Sequence, residues 1–147
     1  MPRVRRSRTI GATPEQVWRT VCDPHHLPRW WPQVQRVEEV TGDAWTKVLR
    51  TPKGRTVRAD YTRVEWQPPR RIVWRQEVEE SPFEAILDEA VTTIALSPEG
   101  DAATQVELTA DQELHGRYRF GGFMLRRATR RQLDDALDGI ELAVGAP

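Results

Sequence analysis

Over residues 104–114 apolar and polar side chains alternate, and a few residues later the period changes and does not change back. Val106, Leu108, Ala110 and Leu114 fall on one side of this stretch, and Gln105, Glu107, Thr109 and Asp111 on the other. That is the period-two signature of a half-buried strand, with Gln112 the polar exception on the apolar side. From about Arg117, the residues Met124, Ala128, Leu133, Ala136, Leu137, Ile140 and Val144 repeat at helical spacing with charges between them. Roughly 25 helical residues at about 1.5 Å each reach nearly 40 Å, and a ten-residue strand covers about 33 Å. One terminal helix can therefore lie along a whole sheet and close its concave side.

The rest of the chain supplies that sheet. Residues 3–10 read as a strand that stops at Gly11. Thr13 then offers a helix cap, Pro14 suits the first helical position, and Val17, Trp18 and Val21 give the helix a buried face. Asp23 before Pro24 ends it, because a residue preceding proline is pushed out of helical angles. A second short helix, about 24–31, is closed by Pro32. Strands follow at 34–40, 45–51, 56–66, 71–78 and 85–96, separated by clusters such as Thr41, Gly42 and Asp43, or Pro68 and Pro69. The order is strand, two short helices, six strands, one long helix. It predicts an α+β domain spanning residues 1–147, in which long antiparallel strands curl through their own twist and the terminal helix seals the curl.

Composition excludes more than it specifies. With 147 residues, 38% hydrophobic and 30% charged, the chain has the make-up of a single soluble domain with a substantial core. Its 22 basic residues balance 22 acidic ones, so no global field would recruit nucleic acid or an anionic membrane. Cys22 is the single cysteine, which excludes an internal disulfide and fits a reducing compartment. No stretch is long and apolar enough to span a bilayer, and the basic start of the chain has no apolar run behind it. The expectation is a cytoplasmic protein without membrane insertion.

The segment HHLPRWWPQV, from His25, concentrates two of three histidines and two of six tryptophans. Neighbours on a helix point about 100° apart, so His25 and His26 do not converge on one metal, and no H-E-x-x-H spacing exists. No metal or cofactor is expected. Trp30 and Trp31 diverge for the same reason, one plugging the core and the other bordering an interior space. Alternation places further polar groups. Gln76 shares a face with Ile72, Trp74 and Val78. Asp88 shares one with Ile86, Ala90 and Ile94. Arg58, Asp60 and Thr62 follow Val64 and Trp66 inward unless a bulge intervenes; the other parity offers Val57, Ala59 and Tyr61. Candidate lining residues are thus Trp30, Trp31, Val48, Arg58, Asp60, Trp74, Gln76, Ile86, Asp88, Gln112, Phe120 and Met124. Asp60, Asp88, Tyr61 and His115 are the candidates for acid–base work, there being no nucleophile–histidine dyad or phosphate loop.

On the last helix Arg126, Arg127, Arg130 and Arg131 precede Asp134, Asp135, Asp138 and Glu141. This order opposes the helix dipole at a few tenths of a kcal/mol per pair. The arginines read either as a solvated face or as a docking surface for a protein or an anionic group.

Four stretches also carry a resemblance: TPEQVWRTVCDPHHLPRWWPQV, ADYTRVEWQPPRRIVWR, the alternating strand near the end, and the closing helix. Their order and spacing over nearly the whole chain resemble the helix-grip domains of the START, Bet v 1 and polyketide cyclase/dehydrase superfamily (SRPBCC). The resemblance implies a curved seven-stranded antiparallel sheet wrapped around the C-terminal helix, with two short helices between strands 1 and 2 and a cavity between sheet and helix. It further implies a hydrophobic or amphipathic guest such as a lipid or polyketide. Relatives that are cyclases or dehydratases, or that dock on ribosomes or chaperones, keep those roles open, because fold does not fix function.

Overall fold

The computed structural model describes residues 3–51, 53–81, 83–116 and 122–145. Seven strands, β1 (Arg3–Ile10), β2 (Val34–Glu38), β3 (Ala44–Arg50), β4 (Thr56–Gln67), β5 (Arg71–Gln76), β6 (Leu87–Glu99) and β7 (Ala103–Leu114), form one antiparallel sheet in the order β1-β7-β6-β5-β4-β3-β2. All but one of the neighbours are consecutive in sequence. At the β6–β7 turn Gly100 takes φ +70°, a backbone conformation that a side chain disfavours. The exception is β1, which returns to pair with β7, Val4 opposite Ala110 and Arg8 opposite Val106.

Between β1 and β2 lie α1 (Pro14–Val21), a short 3-10 turn (Pro24–His26) and α2 (Leu27–Trp30). Thr13 starts α1 with a reciprocal cap: its hydroxyl accepts from the Gln16 N–H, and Gln16 Oε1 accepts from the Thr13 N–H. The 24 residues of α3 (Gly122–Gly145) then cross the concave side. Leu133, Ala136, Leu137 and Ile140 are buried on its inner face, against a core that includes Val17, Leu27, Trp30, Ile94, Val106 and Leu108. Burying such aliphatic side chains contributes ~1.5–3 kcal/mol each, which makes this face the main hold on α3.

The helical stripe differs from expectation at its start. Met124 is 76% exposed and Leu125 turns inward instead. The acids late in α3 have partners that sequence spacing did not reveal. Arg6 pairs with Asp134 at 2.8 Å, and Arg8 with Asp138 at 2.5 Å and Glu141 at 3.5 Å. Edge strand β1 thus pairs with the acidic, C-terminal half of α3, one of the two halves whose charges oppose its dipole. No helix among the described residues is long and apolar enough to cross a membrane.

Candidate functional site

Sheet and helix do not meet everywhere. Toward the N-terminal half of α3 they leave a cavity of about 620 Å³, within the size range of small-molecule sites. Its apolar wall comes from Trp31, Leu49, Phe83, Leu87, Ala90 and Leu125; its polar groups include Lys47, Tyr61, Gln76, Thr92, Gln112 and Thr129. The rim opens to solvent where Ile86, Arg131 and Asp135 are exposed.

The polar groups form a band because directly paired residues in a sheet point to the same side. Lys47 pairs with Ala59 and lies diagonally next to Tyr61, which pairs with Gln76. On the far side Ala90 pairs with Gln112, whose Oε1 accepts from the Thr129 hydroxyl of α3 at 3.1 Å.

Lys47 dominates this band. It is 1% exposed, and its Nζ lies 4.3 Å from the Trp31 ring centroid, 4.2 Å from Tyr61 and 4.9 Å from Trp74. No carboxylate among the described residues reaches it within ion-pair distance. A desolvated cation–π contact stabilises by about 2 kcal/mol, and taking an ammonium out of water costs several. Desolvation wins, and burial lowers the Lys47 amine to about 7. The same burial raises the Tyr61 phenol. Gln76 is 8% exposed, and its Nε2 has no hydrogen-bond partner.

Several expected lining residues lie elsewhere, and two bulges explain most of the corrections. The β4–β5 register shifts between Arg63 and Glu65, so Tyr61 and Trp66 face the same side although their numbers differ by an odd step. Trp66 meets Trp18 edge-on at 5.0 Å, with the Arg63 guanidinium 3.9 Å from its ring centroid. Arg58 and Asp60 therefore face outward. Arg58 pairs with Glu38, and Asp60 accepts from the Thr46 hydroxyl at 2.5 Å. Val48, paired with Arg36 and Arg58, is buried on that same outer face, away from the cavity. In β6 a second shift, between Leu87 and Glu89, turns Leu87 inward and Asp88 out. Asp88 meets His115 Nδ1 at 2.6 Å, both side chains more than half exposed, so this pair lies outside the cavity lining.

Trp31, Tyr61, Gln76, Ile86 and Gln112 are on the lining. Trp30 and Trp74 sit behind it, tilted against each other at 6.3 Å, with Trp74 also edge-on to Trp31 and Trp45. Met124 points to solvent, and Phe120 lies outside the described residues. His25 is occupied locally, its backbone N–H and ring both bonded to Asp23 Oδ1 at 2.9 Å, and His26 Nδ1 lies 3.1 Å from the Arg19 carbonyl oxygen. Arg126, Arg127, Arg130 and Arg131 are exposed and without ion pairs among the described residues.

Sequence reasoning missed Lys47, along with apolar lining residues such as Leu49, Phe83, Leu87 and Leu125. The signal for Lys47 was present: Trp45, Lys47 and Leu49 share one parity, and the lysine is carried inward with two apolar neighbours.

Residues 1–145 match the model of the family described as polyketide cyclase/dehydrase and lipid transport. The chain belongs to that family. Among solved structures, the chain is similar to one from Thermus thermophilus, with 27% identity, 97% of each chain covered and a TM-score of 0.75. It is similar in fold to the aromatase/cyclase Zhui from a Streptomyces species, at 19% identity and a TM-score of 0.80 over 98% of this chain and 93% of that one. A START superfamily protein from Mycobacterium smegmatis shares 13% identity over 97% of each chain, with a TM-score of 0.79. These matches place it in the helix-grip α+β fold. No curated relative matches it in sequence.

Proposed function

We propose that this protein binds a hydrophobic or amphipathic small molecule, of lipid or polyketide type, for carriage, sensing or sequestration in the space between the sheet and α3. The observation that carries this reading is the cavity itself: about 620 Å³, with apolar walls crossed by a band of polar side chains and a rim open to solvent. Such a mixture suits a guest with a polar end more than a pure hydrocarbon. The test is native mass spectrometry of the protein as purified, followed by solvent extraction of any bound compound, beside titration with a naphthalene fluorophore. A retained amphiphile, or saturable uptake of the probe, is expected. A chain that carries nothing and takes up no probe ends the reading.

Acid–base catalysis on a bound ring, of the cyclase or dehydratase kind, is a second reading favoured by one observation. Lys47 lines the cavity with its amine lowered to about 7, the range in which a general base works best at neutral pH. Turnover of a polyketide-like substrate that is lost in Lys47→Met, with binding retained, would support it.

A further inference from the structure

Lys47 and Gln76 place two nitrogen donors on the same cavity wall. Both are more than nine-tenths buried and both line the cavity. Lys47 Nζ has aromatic faces around it and no carboxylate within pairing distance among the described residues. Gln76 Nε2 is a donor with no acceptor. Tyr61 connects them, under the lysine on one side and paired with the glutamine on the other. The charged and titratable groups that face this cavity from the packed elements are Tyr61 of β4 and Arg131 and Asp135 of α3, and both α3 groups are exposed.

From this geometry, and resting on the reading of the cavity as a ligand site, we propose that the guest is a carboxylic acid whose carboxylate sits between Lys47 and Gln76. A carboxylate offers two oxygens and about four acceptor directions, enough to take a hydrogen bond from each donor. It also supplies the counter-charge that the aromatic shell cannot. The guest's apolar body then lies along Leu49, Phe83, Leu87 and Leu125. A neutral headgroup satisfies Gln76 but leaves a protonated Lys47 unpaired, so the site discriminates by charge.

Binding also moves a proton. With the free amine at about 7, above neutrality Lys47 is mostly neutral in the empty protein, and a bound carboxylate favours its charged form. Acid binding should therefore take up a proton there and weaken as the pH climbs.

The experiment compares lauric acid with lauryl alcohol, and naphthoic acid with naphthalenemethanol, by tryptophan fluorescence and calorimetry in buffers of different ionisation enthalpy. The wild-type protein, Lys47→Met and Gln76→Leu are each titrated. The expected result is at least about tenfold tighter binding of each acid than of its alcohol, the advantage of one charge-assisted hydrogen bond. Proton uptake should accompany acid binding alone. Lys47→Met should abolish both while keeping the alcohol's affinity, which also shows that the variant is folded. Acids and alcohols binding alike, or an acid preference that survives in Lys47→Met, would overturn the carboxylate assignment and leave the cavity reading intact. Failure of all four probes would sink both.

Discussion

The backbone of Trp30 occupies the place where a side chain on Gly139 would have to go. A Cβ at Gly139 would stand 2.7 Å from Trp30 Cα and 2.8 Å from its carbonyl carbon, so α2 and α3 touch backbone to backbone. A helix interior ordinarily gains up to about 1 kcal/mol from Gly→Ala. Here the atoms in the way belong to the main chain and cannot rotate aside, so overpacking at about 1–3 kcal/mol outweighs that gain. Gly139→Ala should lower the denaturant midpoint without changing the slope of the transition. Because Trp30 abuts Trp31 at 5.5 Å, it should also perturb the tryptophan fluorescence of the cavity wall.

Lys47 makes stability depend on pH in an unusual direction. Its amine is lowered from 10.5 to about 7 in the folded chain, so the penalty for burying its charge is present in full below about 7. Between about 7 and 10.5 the unfolded chain holds a proton that the folded chain has released, and stability rises with pH through that window. Lys47→Met removes the penalty. The variant should be a few kcal/mol more stable than wild type at pH 6, with the difference shrinking towards pH 10. Urea melts of both proteins across that range measure it, and a difference independent of pH would mean that Lys47 stays protonated when buried.

Much of the architecture was legible because it rests on periods that repeat. The alternation of β7 and the helical stripe from Leu133 to Ile140 fixed which faces are buried. The site was less legible, and the reason is local. One residue added at Val64 and one at Asp88 reverse the parity of what precedes or follows, and a bulge leaves no mark on composition. Reading β4 from Trp66 backwards put Arg58 and Asp60 inside; the cavity in fact receives Tyr61. Nor does sequence say that a lysine will tolerate burial, since that depends on three aromatic rings from α2's end, β4 and β5 gathering round it.

Those reversed parities carry their own prediction. Asp60 and Asp88 both face away from the cavity, so Asp60→Asn and Asp88→Asn should leave probe affinity within about twofold of wild type. Their effects should fall on stability instead. Loss of the charged acceptor for the hydroxyl of buried Thr46 should cost Asp60→Asn about 1 kcal/mol, and the exposed Asp88–His115 pair should contribute little. A titration of both variants beside Lys47→Met checks this, and a large affinity loss in either aspartate variant would place the ligand somewhere other than this cavity.

The ion pairs from β1 to α3 should behave as surface pairs. Arg8 reaches the well-exposed Asp138 and Glu141, and Arg6 reaches the partly exposed Asp134. A double-mutant cycle of Arg8→Ala and Asp138→Ala should give a coupling of about 0.2–1 kcal/mol that fades at high salt. A larger, salt-insensitive coupling would mean that β1 is held to α3 by these charges more than by Val4 and Ile10.

Ala90 offers the direct test of whether the hollow is used. It lies on β6 between the Gln76 and Gln112 sides of the polar band, and its methyl group forms part of the cavity wall. A larger side chain there projects into open space. Ala90→Phe should therefore escape the overpacking penalty of a filled core and keep stability within about 1 kcal/mol of wild type. It should lower probe affinity at least about tenfold, because the ring removes apolar surface the guest would cover at ~25 cal/mol per Å². Paired melting curves and titrations separate the two effects. Unchanged affinity in a variant that melts like the wild type would show that the guest does not enter between β6 and α3, and the carboxylate seat at Lys47 would then have no body of the ligand to hold in place.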